Sequence, residues 1–405
     1  MKNVAILNTC ISGSTGKIAV GLYNTLKKSG YNVFFLYGRE DGKVDTNYYR
    51  IGSSINKYIH AGIARFFGLQ GFGSPLPTLR MLRFLTQNNI DTVYIISPHG
   101  YYINEKMLWD YIIEKNIKAI YLMIDEYAYL GNCGYSGTCR NYLNKCINCP
   151  RARFFSRLIQ GASKVYKLKE RVYPRCRDLT FIGPEYTILQ AKQSPLMNDK
   201  QMILLDEAID TEFFTPKDTK RIRAELNISQ DQIVCVCVAP YSYERKGCKF
   251  FLELARRFEK DDAYKFVHVG FNVDPKSVDM PSNYIPIGFV NDQEKLALYY
   301  SLGDLFVFPS LMDTMPNACL EALSSGTPLL LFDVSGMPYI ADETVASFVE
   351  VGNVNHMEEV VRKTKIKNQE TIDRCREYAL RRYDNRKYFE KLIRIGKGEN
   401  KNDSF

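Results

Sequence analysis

Asp313 and Glu321 stand with seven residues between them in a stretch whose pattern describes a ligand site. The apolar runs Leu305–Phe308 and Leu329–Phe332 flank them with strand character; Pro316 suits a first helical position, Gly326 a C-terminal cap and Pro328 a stop. The expected unit is strand, loop, short helix and strand, a parallel crossover. In such a unit the loop and the helix start lie beyond the carboxyl ends of the strands, where open parallel sheets bind ligands. The helix start at Thr314, Met315, Pro316 and Asn317 suits a phosphate, through the N–H groups of all but the proline and helped by the helix dipole. Glu321, about one and a half turns into the helix, is placed to accept hydrogen bonds from a ribose diol, with Asp313 on the loop in front.

Three other groups have chemical potential. Ser12, Gly13, Ser14, Thr15 and Gly16 follow the strand-like run Val4–Asn8 and precede an amphipathic run from Lys17 to Lys28, so they describe an anion-binding turn. It is not a nucleoside triphosphatase loop, because only two residues separate Gly13 from Gly16 and Ile18 stands where a magnesium-binding hydroxyl is needed. His99 follows the strand expected from Thr92, at the carboxyl end where α/β proteins place working groups. Cys133, Cys139, Cys146 and Cys149 crowd one loop, with Cys146 and Cys149 at a zinc half-site spacing. A structural zinc is expected there; an iron–sulfur cluster and reduced, unligated thiols remain open, and disulfides are disfavoured in a cytosolic protein.

The Asp313-x7-Glu321 element resembles the E-x7-E element of family 4 retaining glycosyltransferases of the GT-B fold, with Asp first as in a capsule and exopolysaccharide, colanic-acid-type branch. Pro309-Ser310, Gly326-Thr-Pro328 and Gly336-Met-Pro338 fit the same family, and the runs Gln70–Ser74 and Ser97–Asn104 and the four loop cysteines are similar to that branch. The resemblance implies that Glu321 holds the donor ribose, that Asp313 and the loop after it face the donor sugar, and that Ser12–Gly16 approach the donor from the other domain. It implies that Lys246, assisted by Arg245, neutralises the donor diphosphate, since the departing nucleoside diphosphate gains charge as its bond breaks. His99, Tyr101 and Asp125 fall on the acceptor side. The implied catalytic set is Lys246, Asp313, Glu321 and His99, with no catalytic cofactor. The chain departs from the family at Ile124, where relatives carry His, at Tyr241, where they carry Arg, at Asp206-Glu207-Ala208 and at Tyr339.

The elements needed to position these groups alternate along the chain. Strands are expected at Val33–Tyr37, Thr92–Ile96, Lys118–Met123, Leu179–Gly183 and Met202–Leu205, with helices near Pro77–Gln87, Glu105–Lys115 and Glu185–Gln193. A second set follows at Ile233–Val238, Tyr264–Val269 and Tyr284–Ile287 before the central crossover. The expected fold is α/β, GT-B, with two doubly wound Rossmann-like domains facing across a cleft. Residues 1–205 form the acceptor-side domain with its cysteine loop at 133–149, 206–216 a linker, and 217–380 the nucleotide-sugar domain. A helix at 381–396 is expected to cross back to the first domain, ahead of a tail at 397–405.

The 405 residues suffice for two cores, and the net charge of +9 is concentrated. Basic residues crowd the segment 151–177, among them Arg151, Lys167 and Lys169, interleaved with Phe154, Phe155 and Tyr166. Either this is a solvated helix face or it makes peripheral contact with an anionic membrane. No nucleic-acid module is recognisable. No apolar run of 18 residues and no secretory leader stand in the sequence, so a cytoplasmic protein is expected, at the inner face of the membrane if that contact forms. The expected function is sugar transfer, with retention, from a nucleoside-diphosphate sugar to a glycan or lipid-linked saccharide in surface polysaccharide synthesis. A nucleotide-sugar epimerase using Asp125, Glu126 and His99 and a non-catalytic partner subunit are the alternatives.

Overall fold

The computed structural model describes residues 2–39, 45–150 and 161–399. They divide into two compact units, one running to Glu207 and resumed from Arg386, the other Ala208–Asn385.

The first unit is a seven-stranded parallel sheet of β1 (Asn3–Asn8), β2 (Asn32–Tyr37), β3 (Tyr48–Arg50), β4 (Thr92–Ile95), β5 (Lys118–Leu122), β6 (Leu179–Gly183) and β7 (Met202–Leu204), in the order β3-β2-β1-β4-β5-β6-β7. Strands such as Val4–Leu7 and Ala119–Leu122 are buried along their length, as continuous apolar runs under helices on both faces must be. Helices α1 (Gly13–Lys28), α2 (Ser54–Phe67), α3 (Pro75–Gln87) and α4 (Glu105–Lys115) are among those that cover it. The helix Asn385–Lys397 belongs to this unit: its Leu392 carbonyl accepts from the Tyr94 hydroxyl at 3.2 Å.

The second unit is a six-stranded parallel sheet of β8 (Ile233–Val238), β9 (Tyr264–Val269), β10 (Tyr284–Ile287), β11 (Leu305–Phe308), β12 (Leu329–Phe332) and β13 (Ala346–Val349), in the order β10-β9-β8-β11-β12-β13. In both sheets the order reverses beside the first strand, at β1/β4 and β8/β11, which opens a crevice at the carboxyl ends there. The expected two Rossmann-like α/β domains are therefore present.

Several local expectations change. The run Gly13–Gly16 is the first turn of α1, which starts earlier than Lys17. Pro316 is the residue before the helix Asn317–Ser324 and not its first member. Neither α2 nor the edge strands β3 and β13 were expected. In the segment 151–177, Arg151, Phe154 and Phe155 lie outside the described residues, whereas Tyr166 and Lys169 are fully buried and present nothing to a membrane.

Candidate functional site

At the carboxyl end of β11 the chain leaves the sheet, loops past Asp313 and enters the helix Asn317–Ser324. Two neighbouring turns hold that loop. Leu311 N donates to the Arg245 carbonyl at 2.8 Å, and Gly336 N to the Asp313 carbonyl at 2.9 Å. A Cβ at Gly336 would lie 1.7 Å from the Thr314 oxygen; one at Gly247, whose φ is +65°, would lie 1.8 Å from that of Pro309. Only glycine permits either approach.

This nesting delivers both cations to one carboxylate. Lys246 Nζ lies 2.5 Å and Arg245 Nη1 3.1 Å from Asp313 Oδ2. Arg245 also donates to the Met312 carbonyl at 3.1 Å, and Lys246 Nζ stands 4.9 Å from the centre of the Phe308 ring. Asp313 is buried, and both cations reach the same oxygen of its carboxylate. Tyr241, at the family's arginine position, instead packs on Phe271 with ring centres 4.8 Å apart, and Arg245 supplies the second cation.

Glu321 is buried one helical turn beyond Asn317, and its Oε2 accepts from the Tyr300 hydroxyl at 2.7 Å. Burial, then the Glu321 charge, push the Tyr300 hydroxyl well above its usual range. Tyr300 therefore remains a donor and orients the carboxylate. At the helix start Thr314, Met315 and Pro316 are buried and Asn317 is half-buried.

The first unit gathers a second group at the ends of β4 and β5. His99 Nε2 lies 3.1 Å from Asp125 Oδ2, its ring stacks on Tyr127 at 4.6 Å, and Nδ1 reaches Ser97 Oγ at 3.5 Å. Asp125 Oδ1 accepts from Tyr127 N at 2.9 Å, so both carboxylate oxygens are committed to holding this geometry. Beneath lies a support that sequence reasoning missed. The Tyr127 hydroxyl donates to buried Glu105, and buried Lys169 donates to the Tyr127 carbonyl and, at 2.8 Å, to that of Leu130. Burial lowers the Lys169 ammonium to about 8 and raises the Glu105 carboxyl. A lysine inside a run of exposed cations carries no sequence signal of burial. Tyr101 sits apart from the His99–Asp125 pair, at φ +69° under the Arg39 guanidinium. Glu126 is buried and accepts from Tyr129 and Ser136, which makes it a structural carboxylate and not an acid or base for an epimerase. Ser12, Gly13 and Ser14 are exposed at the start of α1, Thr15 is half-buried and takes a hydrogen bond from Asn8, and Gly16 is buried against Ile11.

Cys133, Cys139, Cys146 and Cys149 all line one cavity of about 20 Å³. The four thiols share this lining, but no three of their sulfurs lie within 4.8 Å of one another, wider than the spacing around a tetrahedral ion bound at about 2.3 Å from each sulfur; burial holds the Cys146 thiol up at about 11, so binding an ion there would release a proton. Among the described residues the group whose ligand atoms lie within 4.8 Å of one another is a different one, Cys237, Cys248 and His268. There Nε2 of His268 must donate to the Ala239 carbonyl at 2.8 Å, leaving Nδ1 to accept from the Tyr284 hydroxyl at 2.5 Å. No lone pair of that ring is left for a metal.

Residues 232–364 match the family model of glycosyl transferases group 1. The chain is 25% identical over 131 residues to the alpha-monoglucosyldiacylglycerol synthase of Streptococcus pneumoniae, a match covering 31% of this chain and 29% of that relative's length. Among solved structures, the sucrose-phosphate synthase of Thermosynechococcus elongatus superposes with a TM-score of 0.70 at 13% identity, over 98% of this chain and 99% of the other. HepE of Anabaena, solved in complex with UDP, superposes with a TM-score of 0.66 at 11% identity, over 98% and 100%. The chain thus carries a glycosyl transferases group 1 segment at 232–364 within the two-domain GT-B fold.

Proposed function

We propose that the protein is a retaining glycosyltransferase that moves a sugar from a nucleoside-diphosphate sugar to a glycan or lipid-linked saccharide in surface polysaccharide synthesis. The observation that carries this reading is the convergence of Lys246 and Arg245 on Asp313, one helical element ahead of Glu321, all within the matched segment. Without donor, Asp313 holds the two cations in place. With donor, they turn to the diphosphate, Asp313 faces the sugar, and Glu321, oriented by Tyr300, accepts from the ribose. The bond from the anomeric carbon to the diphosphate oxygen breaks and one to the acceptor oxygen forms on the same face. The acceptor proton passes to the departing phosphate. Fixed cations stabilise the charge developing on the leaving group, which is the term a chemical step of this kind needs most. The UDP held by the Anabaena structure supports a nucleotide donor. The name of the streptococcal relative, a synthase of a glucosylated diacylglycerol, supports a lipid-linked acceptor. On the acceptor side, the His99–Asp125 pair is the polar group proposed to orient the incoming hydroxyl. A zinc ion in the four-cysteine cavity is proposed as a brace for the loop and takes no part in the reaction.

The test is product analysis with a panel of nucleotide sugars and lipid-linked acceptors. A new glycosidic linkage with the donor's anomeric configuration supports the reading. An inverted product would remove retention, and conversion of the nucleotide sugar without acceptor would identify an epimerase.

A further inference from the structure

Every polar atom of Tyr127 is held, and each holding partner is a charged side chain. Its N–H donates to Asp125 Oδ1 at 2.9 Å and its hydroxyl to Glu105 Oε1. Its carbonyl accepts from Lys169 Nζ at 2.5 Å, and the same ammonium lies 3.5 Å from the centre of its ring. Lys169 also donates to the Leu130 and Gly131 carbonyls at 2.8 and 3.4 Å, so one side chain pins the turn from Tyr127 to Gly131. Glu105, Tyr127 and Lys169 are all buried.

Burying a carboxylate, an ammonium and a phenol together is costly, and apolar side chains of similar volume often give equal or greater stability. Stability alone therefore does not account for this set. What charge-assisted hydrogen bonds add is direction, which apolar contact lacks. They fix the place and angle of the Tyr127 ring, and on that ring stacks the His99 imidazole, with centres 4.6 Å apart and planes 29° from parallel. His99 Nε2 lies 3.1 Å from Asp125 Oδ2. A carboxylate oxygen accepts, so Nε2 carries the hydrogen and the lone pair of the neutral ring stands on Nδ1. The His99 side chain is 25% exposed, so a dry, fixed layer supports a ring whose own edge meets solvent.

We propose that Glu105 and Lys169 are positioning residues for the acceptor step: acting through Tyr127, they hold the His99 ring at the angle from which it orients the incoming hydroxyl. Neither touches substrate, and neither makes or breaks a bond. The proposal rests on the reading of His99 as the acceptor-side group.

Glu105→Leu removes the acceptor of the Tyr127 hydroxyl, Glu105→Gln keeps one in its amide oxygen, and Lys169→Met removes the ammonium. Turnover with acceptor should fall by on the order of 10-fold or more in Glu105→Leu and Lys169→Met, the scale of a misplaced reacting group. Glu105→Gln should keep most of the rate, and affinity for the donor nucleoside diphosphate should stay that of the parent in all three. Should Glu105→Leu or Lys169→Met not fold, Tyr127→Phe, which keeps the ring and drops only its hydroxyl, carries the test with the same expected loss. Nitrogen NMR of the His99 ring, identified by its absence in His99→Gln, needs no turnover. It should show the Nε2–H tautomer alone in the parent and a mixture in Glu105→Leu; the same tautomer in both contradicts the positioning. A parent that makes no product overturns the transferase reading and the proposal with it. A parent that does, matched in rate by Glu105→Leu and Lys169→Met, overturns the proposal alone. So does a loss of donor affinity equal to the loss of rate, which would make both residues merely structural.

Discussion

Lys246 Nζ and Asp313 Oδ2 are 2.5 Å apart, and Arg245 contributes a second cation to the same oxygen. The pairing joins two loops 67 positions apart. It keeps an ammonium where a diphosphate would need it.

Replacing Lys246 by Ala should lower turnover by on the order of 10²-fold or more, the loss typical of removing one group that stabilises developing negative charge. It should also reduce the stabilisation by added nucleoside diphosphate. Arg245→Ala should have the smaller effect, because its side chain is more exposed. Single-turnover kinetics separate the two; equal rates to the parent for Lys246→Ala would sink the assignment.

Gly336→Ala introduces a Cβ where the Thr314 carbonyl oxygen already sits at 1.7 Å. The loop carrying Asp313 has to move, at a cost of about 1–3 kcal/mol. Nucleotide affinity should fall at least 10-fold while far-ultraviolet circular dichroism stays that of the parent. Unchanged affinity would show that loop position does not govern binding.

Tyr300→Phe removes a buried donor from Glu321 at 2.7 Å and should cost about 1–3 kcal/mol in urea unfolding. It should weaken a nucleoside diphosphate more than inorganic pyrophosphate, since only the former presents a ribose. An equal loss for both would place the Glu321 contact elsewhere.

The His60 ring predicts a pH dependence. Its Nε2 accepts from Gly73 N at 3.3 Å, so the ring is neutral when folded, and burial lowers its pKa from 6.5 to about 4. Between those values the unfolded chain binds more protons, so stability falls as pH drops from 6.5 toward 4, by up to about 3 kcal/mol. His60→Gln should flatten that slope in urea midpoints measured from pH 7 to pH 4.5. A slope identical to the parent's would assign the acid sensitivity to other groups.

Metal analysis of purified protein should find about one zinc per chain, lost in Cys146→Ser together with stability of unit one. Metal-free parent protein with an unchanged melting temperature would reduce the cavity to four plain thiols.

The parallel crossover around Asp313 and Glu321 was legible because strand, loop, Pro and Gly signals all agree there, and residues 305–332 form the elements their pattern implies. Helix α2 was not legible, because apolar residues on two faces blur the one-sided period that marks an amphipathic helix. Edge strand β3 is three residues long, too short for alternation to register. Partnerships across distant sequence, such as Tyr300 with Glu321 or Lys169 beneath Tyr127, come only from packing. The replacement at Tyr241 was visible as a departure, but its consequence, Arg245 turning onto Asp313, required the fold.

The central claim is that the second unit binds a nucleoside diphosphate through Lys246, Arg245 and Glu321. Thermal unfolding with a panel of nucleoside diphosphates and their sugars, on the parent and Glu321→Ala, tests it most directly. At 100 times its dissociation constant a cognate ligand should stabilise the parent by about 2.7 kcal/mol. The account predicts a shift selective for one base that Glu321→Ala abolishes; no shift with any member, or a shift that Glu321→Ala leaves intact, would contradict it.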